Sequence, residues 1–173
     1  MQALPKTDHA SMRAIYEQHV DHVWRTVAFL GVATSEVPDV CQEVFLTVHR
    51  KLASFEGRSS LRTWIYGITT RTVAAHRRRA YTRRERPHAE VPDSNVAPPQ
   101  EDHLLAQERV RRLEDALNKL DERQREVFVL YELQEMKMGE VAAALAIPQQ
   151  TAYSRLHAAR KALRSIFRGG EHS

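Results

Sequence analysis

The sequence predicts an all-α fold of two small helical domains joined by a flexible linker, the second of which ends in a helix-turn-helix motif. Apolar residues recur at steps of three and four through most of the 173-residue chain, and this is the period of a helix with one buried face. No stretch keeps the strict alternation of a half-buried strand. Four of the seven prolines fall within residues 87–100, where no apolar period is found, and this composition marks the linker.

Two helices are predicted in the first 55 residues. The first runs from a cap at Asp8 to a stop at Gly31, because glycine readily ends a helix. The second begins at Pro38, a residue suited to the first turn of a helix, and we expect it to end near residues 55–57. Its apolar ladder has four-residue steps and consists of Val40, Val44, Val48 and Leu52.

Positive charge is concentrated in two segments, although the whole chain carries only +4. The third helix, capped by Ser59 or Ser60, continues into residues 71–86, which hold seven arginines and one glutamate. Residues 149–168 hold five basic residues and no acid. Two basic surfaces on a mildly acidic body indicate a polyanion held at two places. Two ordinary solvated helix faces are the alternative.

The C-terminal part of the chain predicts a helix-turn-helix motif. Helix resumes near residue 101, Asp121 caps a further helix, and two helices follow at about 137–145 and 148–167. A short apolar helix, a tight turn and a basic helix are typical of this DNA-binding motif. Tyr153, Ser154 and His157 share one face and could reach base edges, while neighbouring basic residues suit phosphates. A plain helical hairpin with a basic exterior is the alternative. The residues predicted for phosphates are Arg155, Arg160, Lys161 and Arg164.

Two further patterns lie in the N-terminal part. The outer face of the second helix mixes acids, an amide and an exposed leucine, which suits a protein partner better than DNA, although a solvated face is the alternative. Trp64 and Tyr66 precede the arginines, and aromatic rings beside a basic helix fit exposed bases. We expect one of the two rings to be buried, because they point to different helix faces. The polar loop 56–60 could wrap a flipped-out base.

Several function classes are excluded or disfavoured. The N-terminus lacks the apolar stretch of a secretory signal, and no apolar run could span a membrane. One cysteine, Cys41, excludes an internal disulfide framework. His19 and His22 could coordinate a metal ion together, but no cysteine or carboxylate is obviously placed to complete that site. We therefore expect a cytoplasmic protein with no cofactor, metal or small-molecule substrate, and no enzymatic activity of its own.

Two blocks of sequence resemble the extracytoplasmic-function sigma factors of bacterial RNA polymerase. Residues 39–46 (DVCQEVFL), 55–57 (FEG) and 61–66 (LRTWIY) resemble the second conserved domain of this family. Residues 117–130 and 140–163 resemble its fourth domain. The resemblance implies sigma domain two over residues 1–86, a linker over 87–103 that threads into the polymerase cleft, and sigma domain four over 104–173.

The resemblance also implies roles for individual residues. The core polymerase would dock on one helix face, formed by Asp39, Gln42, Glu43, Leu46 and Arg50. An unstacked base of the minus-ten promoter element would be trapped by the loop and the next helix, through Arg58, Ser59, Ser60, Arg62, Trp64 and Arg71. Phosphates of the opening duplex would be held by Arg77, Arg78 and Arg79. The minus-thirty-five element would be bound by Gln149, Gln150, Thr151, Tyr153, Ser154, Arg155, His157, Arg160 and Lys161.

The chain departs from the family's usual pattern at several positions. Glu135 stands where glycine is frequent, and Lys137 stands where serine is frequent, so the usual cap of the first helix of the motif is missing. Ala146 and Gln150 replace glycines, and Ala152 replaces a larger valine in the motif's core. Removing two buried methyl groups costs on the order of 1–2 kcal/mol.

We interpret the chain as a sigma factor that binds core RNA polymerase, directs it to promoter DNA and assists opening. An anti-sigma factor is common in the family, but the sequence identifies none. A stand-alone helix-turn-helix regulator would explain residues 104–168 and leave the N-terminal block unused. An adaptor that only contacts proteins would explain neither basic segment.

Overall fold

The computed structural model describes the backbone of residues 9–84 and 101–169 and the side chains of residues 11–82 and 107–168. These residues form helices and connecting turns without a strand, which confirms the predicted fold class. The predicted linker, residues 87–100, lies outside the described part. The α-helices are α1 (His9–Phe29), α2 (Val37–Lys51), α3 (Leu61–Arg84), α4 (Glu101–Asn118), α5 (Glu122–Phe128), α6 (Met138–Leu145) and α7 (Gln149–Gly169).

Helices α1 to α3 form an N-terminal bundle. The valine ladder of α2 is buried as predicted, and it packs with apolar residues of α1 and α3. Pro38 lies in the first turn of α2, and the Ser60 hydroxyl accepts the Thr63 amide at 3.1 Å, so Ser60 caps α3. Helix α2 ends at Lys51 rather than near residues 55–57, because the chain tightens there into a 3-10 turn over Leu52–Ser54.

Helices α4 to α7 form the C-terminal bundle. Asp121 caps α5 as predicted, and its carboxylate accepts the Arg123 amide at 3.0 Å. A π turn over Val129–Leu133 then leads towards α6. Such turns are rare, and the local sequence does not predict them.

The turn between α6 and α7 is that of a helix-turn-helix. Ala146, where the family's glycine is usual, adopts a left-handed conformation with φ of 53°. The Ile147 amide donates to the Ala142 carbonyl at 3.0 Å and closes the end of α6. At the start of α6, the Glu140 carboxylate accepts the Lys137 amide at 3.0 Å. This bond is the half of a capping box that the Glu140 side chain provides, and the half that a serine hydroxyl would provide is missing because the Lys137 side chain cannot accept a hydrogen bond.

The two bundles also pack against each other. One apolar cluster joins α1, α2 and α3 to Leu117, Leu120 and Leu163 of the C-terminal bundle. In return, Tyr66 of α3 lies in a cluster that otherwise belongs to the C-terminal bundle. The sequence pattern predicted two small domains joined by a linker, and it did not predict these shared contacts.

Candidate functional site

The outer face of α2 carries the residues predicted to meet a protein partner. Asp39, Gln42, Leu46 and Arg50 are exposed, and Glu43 is partly buried. Leu46 leaves 55% of its surface in solvent, which is a large fraction for a leucine. The structure therefore brings the five predicted residues together on one accessible side of the helix.

An open groove of about 650 Å³ lies between α1 and α2 beside this face. Tyr16 of α1 meets Phe45 of α2 edge-on, with 4.8 Å between the ring centres. Trp24 is 43% exposed at the rim. Sequence reasoning missed Tyr16 and Trp24. The signal that could have found them is a second apolar stripe on α1 at four-residue steps, formed by Met12, Tyr16, Val20 and Trp24.

Cys41 lines the same groove but is buried. Burial raises the pKa of its thiol to about 11, since removal from water disfavours the thiolate. The thiolate is the reactive form of cysteine. Cys41 therefore contributes to packing rather than to chemistry.

The predicted minus-ten loop is exposed, but its side chains are partly engaged. Arg58 pairs with Glu56, and the Ser60 hydroxyl is used in capping α3. Ser59 is partly buried. Trp64 is also partly buried and packs on Phe55, with 5.0 Å between the ring centres. In this structure the tryptophan ring is therefore not displayed as an open platform for a base.

Tyr66 and Arg62 face the C-terminal bundle. Tyr66 is 2% exposed, and its hydroxyl donates to the Gln134 side-chain oxygen at 2.8 Å. Arg62 stacks over the Tyr66 ring at 5.6 Å and donates to the Gln134 backbone carbonyl. The prediction that one of the two aromatic rings is buried is confirmed for Tyr66.

The arginines of α3 are divided between solvent and internal contacts. Arg71 and Arg78 are exposed. Arg77 donates to the Leu30 carbonyl at 3.2 Å and lies 3.7 Å from Glu122. Arg79 pairs with Glu43 at 2.8 Å, so a predicted phosphate contact is joined to the predicted docking face. Exposed ion pairs of this kind are weak and exchange partners readily.

The first turns of α7 present an accessible surface. Tyr153, Ser154 and His157 are all exposed, and Tyr153 leaves 49% of its surface in solvent. Gln149 and Gln150 are exposed beside them, while Thr151 and Arg155 are partly buried. The face predicted to reach base edges is therefore open.

The basic residues further along α7 differ in their surroundings. Lys161 is exposed. Arg160 pairs with Glu132, with its Nε 2.7 Å from the carboxylate, and it lies 5.7 Å over the Tyr131 ring. The carboxylate and the ring fix the direction of the Arg160 guanidinium, whereas no such restraint is found on Lys161 among the described residues.

The two histidines considered for a metal are placed differently. His19 is buried, and burial together with His22 and Arg62 lowers its pKa. Within residues 11–82 and 107–168, no three histidine, cysteine or acidic side chains come together as a metal site would require. None of the helices in the described part is long and apolar enough to cross a membrane.

Comparison with known families accounts for most of the chain. The family described as Sigma-70 region 2 matches residues 15–83, and the family described as Sigma-70, region 4 matches residues 110–163. The chain is 33% identical to the ECF RNA polymerase sigma-E factor of Escherichia coli K12 over 141 residues, which is 76% of this chain and 74% of the relative. It is 30% identical to the ECF RNA polymerase sigma factor SigC of Mycobacterium tuberculosis over 165 residues, covering 91% and 84%.

Solved structures share the fold. CnrH, solved in complex with the cytosolic domain of CnrY, superposes with a TM-score of 0.72 at 22% identity, covering 94% of this chain and 90% of that one. RpoE of Bartonella quintana, solved with the anti-sigma factor NepR, gives a TM-score of 0.72 at 21% identity, covering 90% and 96%. The chain therefore belongs to the ECF sigma factors, which bind core RNA polymerase, direct it to specific promoters and assist promoter opening.

Proposed function

We propose that residues 1–86 act as sigma domain two, residues 87–103 as the linker and residues 104–173 as sigma domain four. The family matches over 15–83 and 110–163 support this division. The chain carries out no chemistry itself, and promoter opening follows from tighter binding of unstacked bases than of closed duplex. Its place of work is the cytoplasm, and the nucleoid when it is active.

The outer face of α2 docks on core polymerase. The observation that carries this assignment is the exposed Leu46 among Asp39, Gln42 and Glu43, beside an apolar groove. Protein interfaces combine an apolar centre with a polar rim, and a large exposed aliphatic side chain next to aromatics supplies such a centre. Arg50, one turn further along, lies at the edge of the same face.

The groove also suits a regulatory partner. CnrH and RpoE were solved with the cytosolic domain of CnrY and with an anti-sigma factor, respectively. We extend a partner of this kind to the present chain. An amphipathic helix laid in the groove would bury Tyr16 and Trp24, and such a helix-in-groove contact would compete with polymerase for the same side of α2.

Promoter DNA meets two surfaces. On α7, Tyr153, Ser154 and His157 contact base edges of the minus-thirty-five element, and the free amide groups of the first turn favour a phosphate. Gln149, Gln150, Thr151, Arg155, Arg160 and Lys161 complete this surface. On domain two, the minus-ten element is held by Arg58, Ser59, Ser60, Arg62, Trp64 and Arg71, with backbone contacts from Arg77, Arg78 and Arg79.

Docking is tested with a double variant, Asp39→Ala with Gln42→Ala. Loss of two rim contacts should weaken binding to purified core polymerase about tenfold, at roughly 0.7 kcal/mol for each. The matched control is Gln107→Ala with Asp115→Ala, which removes an amide and an acid from exposed positions of α4. Binding is followed by fluorescence anisotropy, and thermal unfolding verifies that both variants fold.

The same reconstitution tests the wider function. Core polymerase with the wild-type chain should give promoter-specific run-off transcripts on fragments from its genome, and the docking variant should give fewer. Unchanged core affinity in the docking variant would reject the α2 face. Failure of the wild-type chain to give any promoter-specific transcript would count against the promoter contacts.

A further inference from the structure

A cluster of basic side chains on α1 has no role in the surfaces described so far. His19, His22 and Arg25 follow one another at three-residue steps, so they lie on neighbouring turns of one side of the helix. Arg25 is exposed, His22 is partly buried and His19 is buried. The Arg25 guanidinium donates to Nδ1 of His22 at 3.4 Å, and its Nε donates to the Asp21 backbone carbonyl at 3.3 Å. These contacts hold the Arg25 side chain along the helix.

Arg62 of α3 belongs to the same cluster. It lies 5.6 Å over the Tyr66 ring, and its charge is one of the causes that lower the pKa of His19 on α1, after burial and His22. Burial raises the pKa of the Tyr66 hydroxyl, whereas the charges of Arg62 and Arg25 oppose that rise. Two guanidinium groups, one from each helix, are therefore close to the same tyrosine.

No carboxylate is paired with this cluster among the side chains that the structure describes. Arg62 and Arg25 have neutral partners, which are the backbone carbonyls of Gln134 and Asp21. Like charges that lie side by side repel each other, and this repulsion lowers stability. A positive cluster without its own acid is suited to an anion from outside the chain. Six other arginines each pair with a glutamate, and these are Arg13, Arg58, Arg77, Arg79, Arg112 and Arg160.

The cluster adjoins the loop that the proposed function assigns to the minus-ten element. Arg62 comes two residues after that loop, residues 56–60, and it is itself assigned to the minus-ten element. A single strand seated on the loop and on Arg62 can continue onto α1 without leaving positive charge. The anion that fits this position is the phosphate backbone of the strand, because guanidinium and imidazole N–H groups donate well to phosphate oxygens.

We propose that His22 and Arg25 of α1, together with Arg62, bind backbone phosphates of the single strand that carries the minus-ten element. This inference rests on the proposed role of the loop and of α3 in DNA binding. It extends that surface to a helix for which the sequence predicts no DNA contact. Because the contact is made to the backbone, it adds affinity and salt dependence without reading the base sequence.

The test uses holoenzyme reconstituted from core polymerase and the full chain. Fluorescence anisotropy measures the binding of a single-stranded minus-ten oligonucleotide, taken from a promoter that gives run-off transcripts, between roughly 50 and 200 mM salt. Arg25→Ala is compared with Arg13→Ala, which removes an equal charge from an exposed position of the same helix. Arg25→Lys tests rescue, because lysine keeps a charge that phosphate can bind. Thermal unfolding and core affinity are measured for every variant.

We expect Arg25→Ala to weaken oligonucleotide binding several-fold at the lower salt concentration. The slope of log K against log salt should become shallower by about 0.7, the value for one phosphate contact on a single strand. Arg25→Lys should keep most of the wild-type slope, and Arg13→Ala should keep all of it. An unchanged slope in Arg25→Ala, or an equal change in Arg13→Ala, would overturn the proposal. A loss of core affinity that accounts for the whole effect would also overturn it, since Arg25 would then serve polymerase.

His22 makes a different prediction. Because the guanidinium can only donate, Nδ1 of His22 accepts and the ring proton lies on Nε2, where it can be donated to a phosphate. A neutral donor releases no counterion, so His22→Leu should weaken binding about threefold, the value of one weak hydrogen bond, without changing the salt slope. His22→Gln should restore part of the loss. Wild-type affinity in a folded His22→Leu variant would overturn the part of His22 in the proposal.

A second pair of substitutions separates the inference from the proposed function. Arg71→Ala with Arg78→Ala removes two exposed arginines of α3. If this double variant weakens oligonucleotide binding and Arg25→Ala does not, α3 holds the strand without α1, and only the inference fails. If neither variant weakens binding, the DNA role of α3 is rejected and the inference is rejected with it.

Discussion

Helices α3 and α7 are both basic, and both were predicted to meet nucleic acid, yet their reading faces have opposite surroundings. Tyr66 of α3 is buried under α6, whereas Tyr153 of α7 is half in solvent. The difference lies in the small residues around Tyr66. Gly67 has no side chain, so the Ala144 backbone of α6 can approach it closely. The Thr70 hydroxyl donates to the Tyr66 carbonyl at 3.1 Å within α3 itself. Helix α6 can therefore cover this face of α3, whereas the Tyr153 face of α7 stays exposed.

We expect the largest effect from a substitution at Gly31, which lies against Arg125 and Asn118 where the two bundles pack together. Its φ is +85°, and a methyl group would lie 2.3 Å from the Arg125 guanidinium. Gly31→Ala should lower the free energy of unfolding by about 3 kcal/mol, from left-handed strain plus displacement of the guanidinium. Denaturant unfolding measures the loss.

Gly57→Ala is the matched control for that substitution. Gly57 has φ of +68°, but nothing lies within 4 Å of the added methyl group. It should therefore lose only the backbone strain, about 1 kcal/mol. Equal losses in the two variants would show that Arg125 contributes nothing to the contact at Gly31.

The next largest effects are expected on the exposed face of α7. His157→Ala removes a side chain proposed to read a base, so promoter discrimination at one position should fall by about 1–2 kcal/mol. Lys161→Ala removes a phosphate contact and should weaken all promoters alike, with a shallower salt dependence. Transcription from a promoter library randomised in the minus-thirty-five element distinguishes the two outcomes. The same preference change in both variants would contradict this division of roles.

A third test uses pH to probe the boundary between the bundles. Burial, and then the neighbouring Glu122, raise the pKa of Glu126 from 4.5 to about 7. The folded state therefore holds the proton more tightly than the unfolded state, and this stabilisation is complete below pH 4.5 and lost as pH rises through about 7. Glu126→Gln should flatten the fall in melting temperature between pH 5 and pH 8. The exposed Glu108→Gln should leave that fall unchanged, and an equally steep fall in Glu126→Gln would refute the assignment.

The smallest effect concerns the turn that presents α7. Ala146 has a left-handed backbone, so Ala146→Gly should relieve strain and stabilise the chain by about 0.5–1 kcal/mol. Ala143→Gly, at an exposed position inside α6, should instead destabilise it by about 1 kcal/mol. Calorimetry of the two variants provides the comparison. A loss of stability in Ala146→Gly would show that the family's usual glycine gives no advantage in this turn.

Sequence reasoning succeeded where the controlling contacts are local. The valine ladder of α2, the caps at Ser60 and Asp121, and the exposed face of α7 each depend on residues within a few positions of one another. Helical period and capping chemistry are enough to predict such features. The surface of α7 therefore followed from the sequence almost completely.

The same reasoning did not foresee the contacts between the bundles. Arg125 bonds a carbonyl 95 residues away, and Tyr66 bonds Gln134 across 68 residues. Nothing in the local pattern distinguishes Arg125 from an ordinary exposed helical arginine, and the π turn before Gln134 has no sequence signature. The roles of Arg62 and Arg77 in holding the bundles together depend on these distant partners.

The protected thiol of Cys41 has a practical consequence for labelling the protein in solution. With a pKa of about 11, only roughly one molecule in a thousand carries the thiolate at pH 8. Maleimide reagents should therefore modify engineered surface cysteines far faster than the native one. Fluorophore pairs can then be attached across the two bundles in an otherwise unaltered chain.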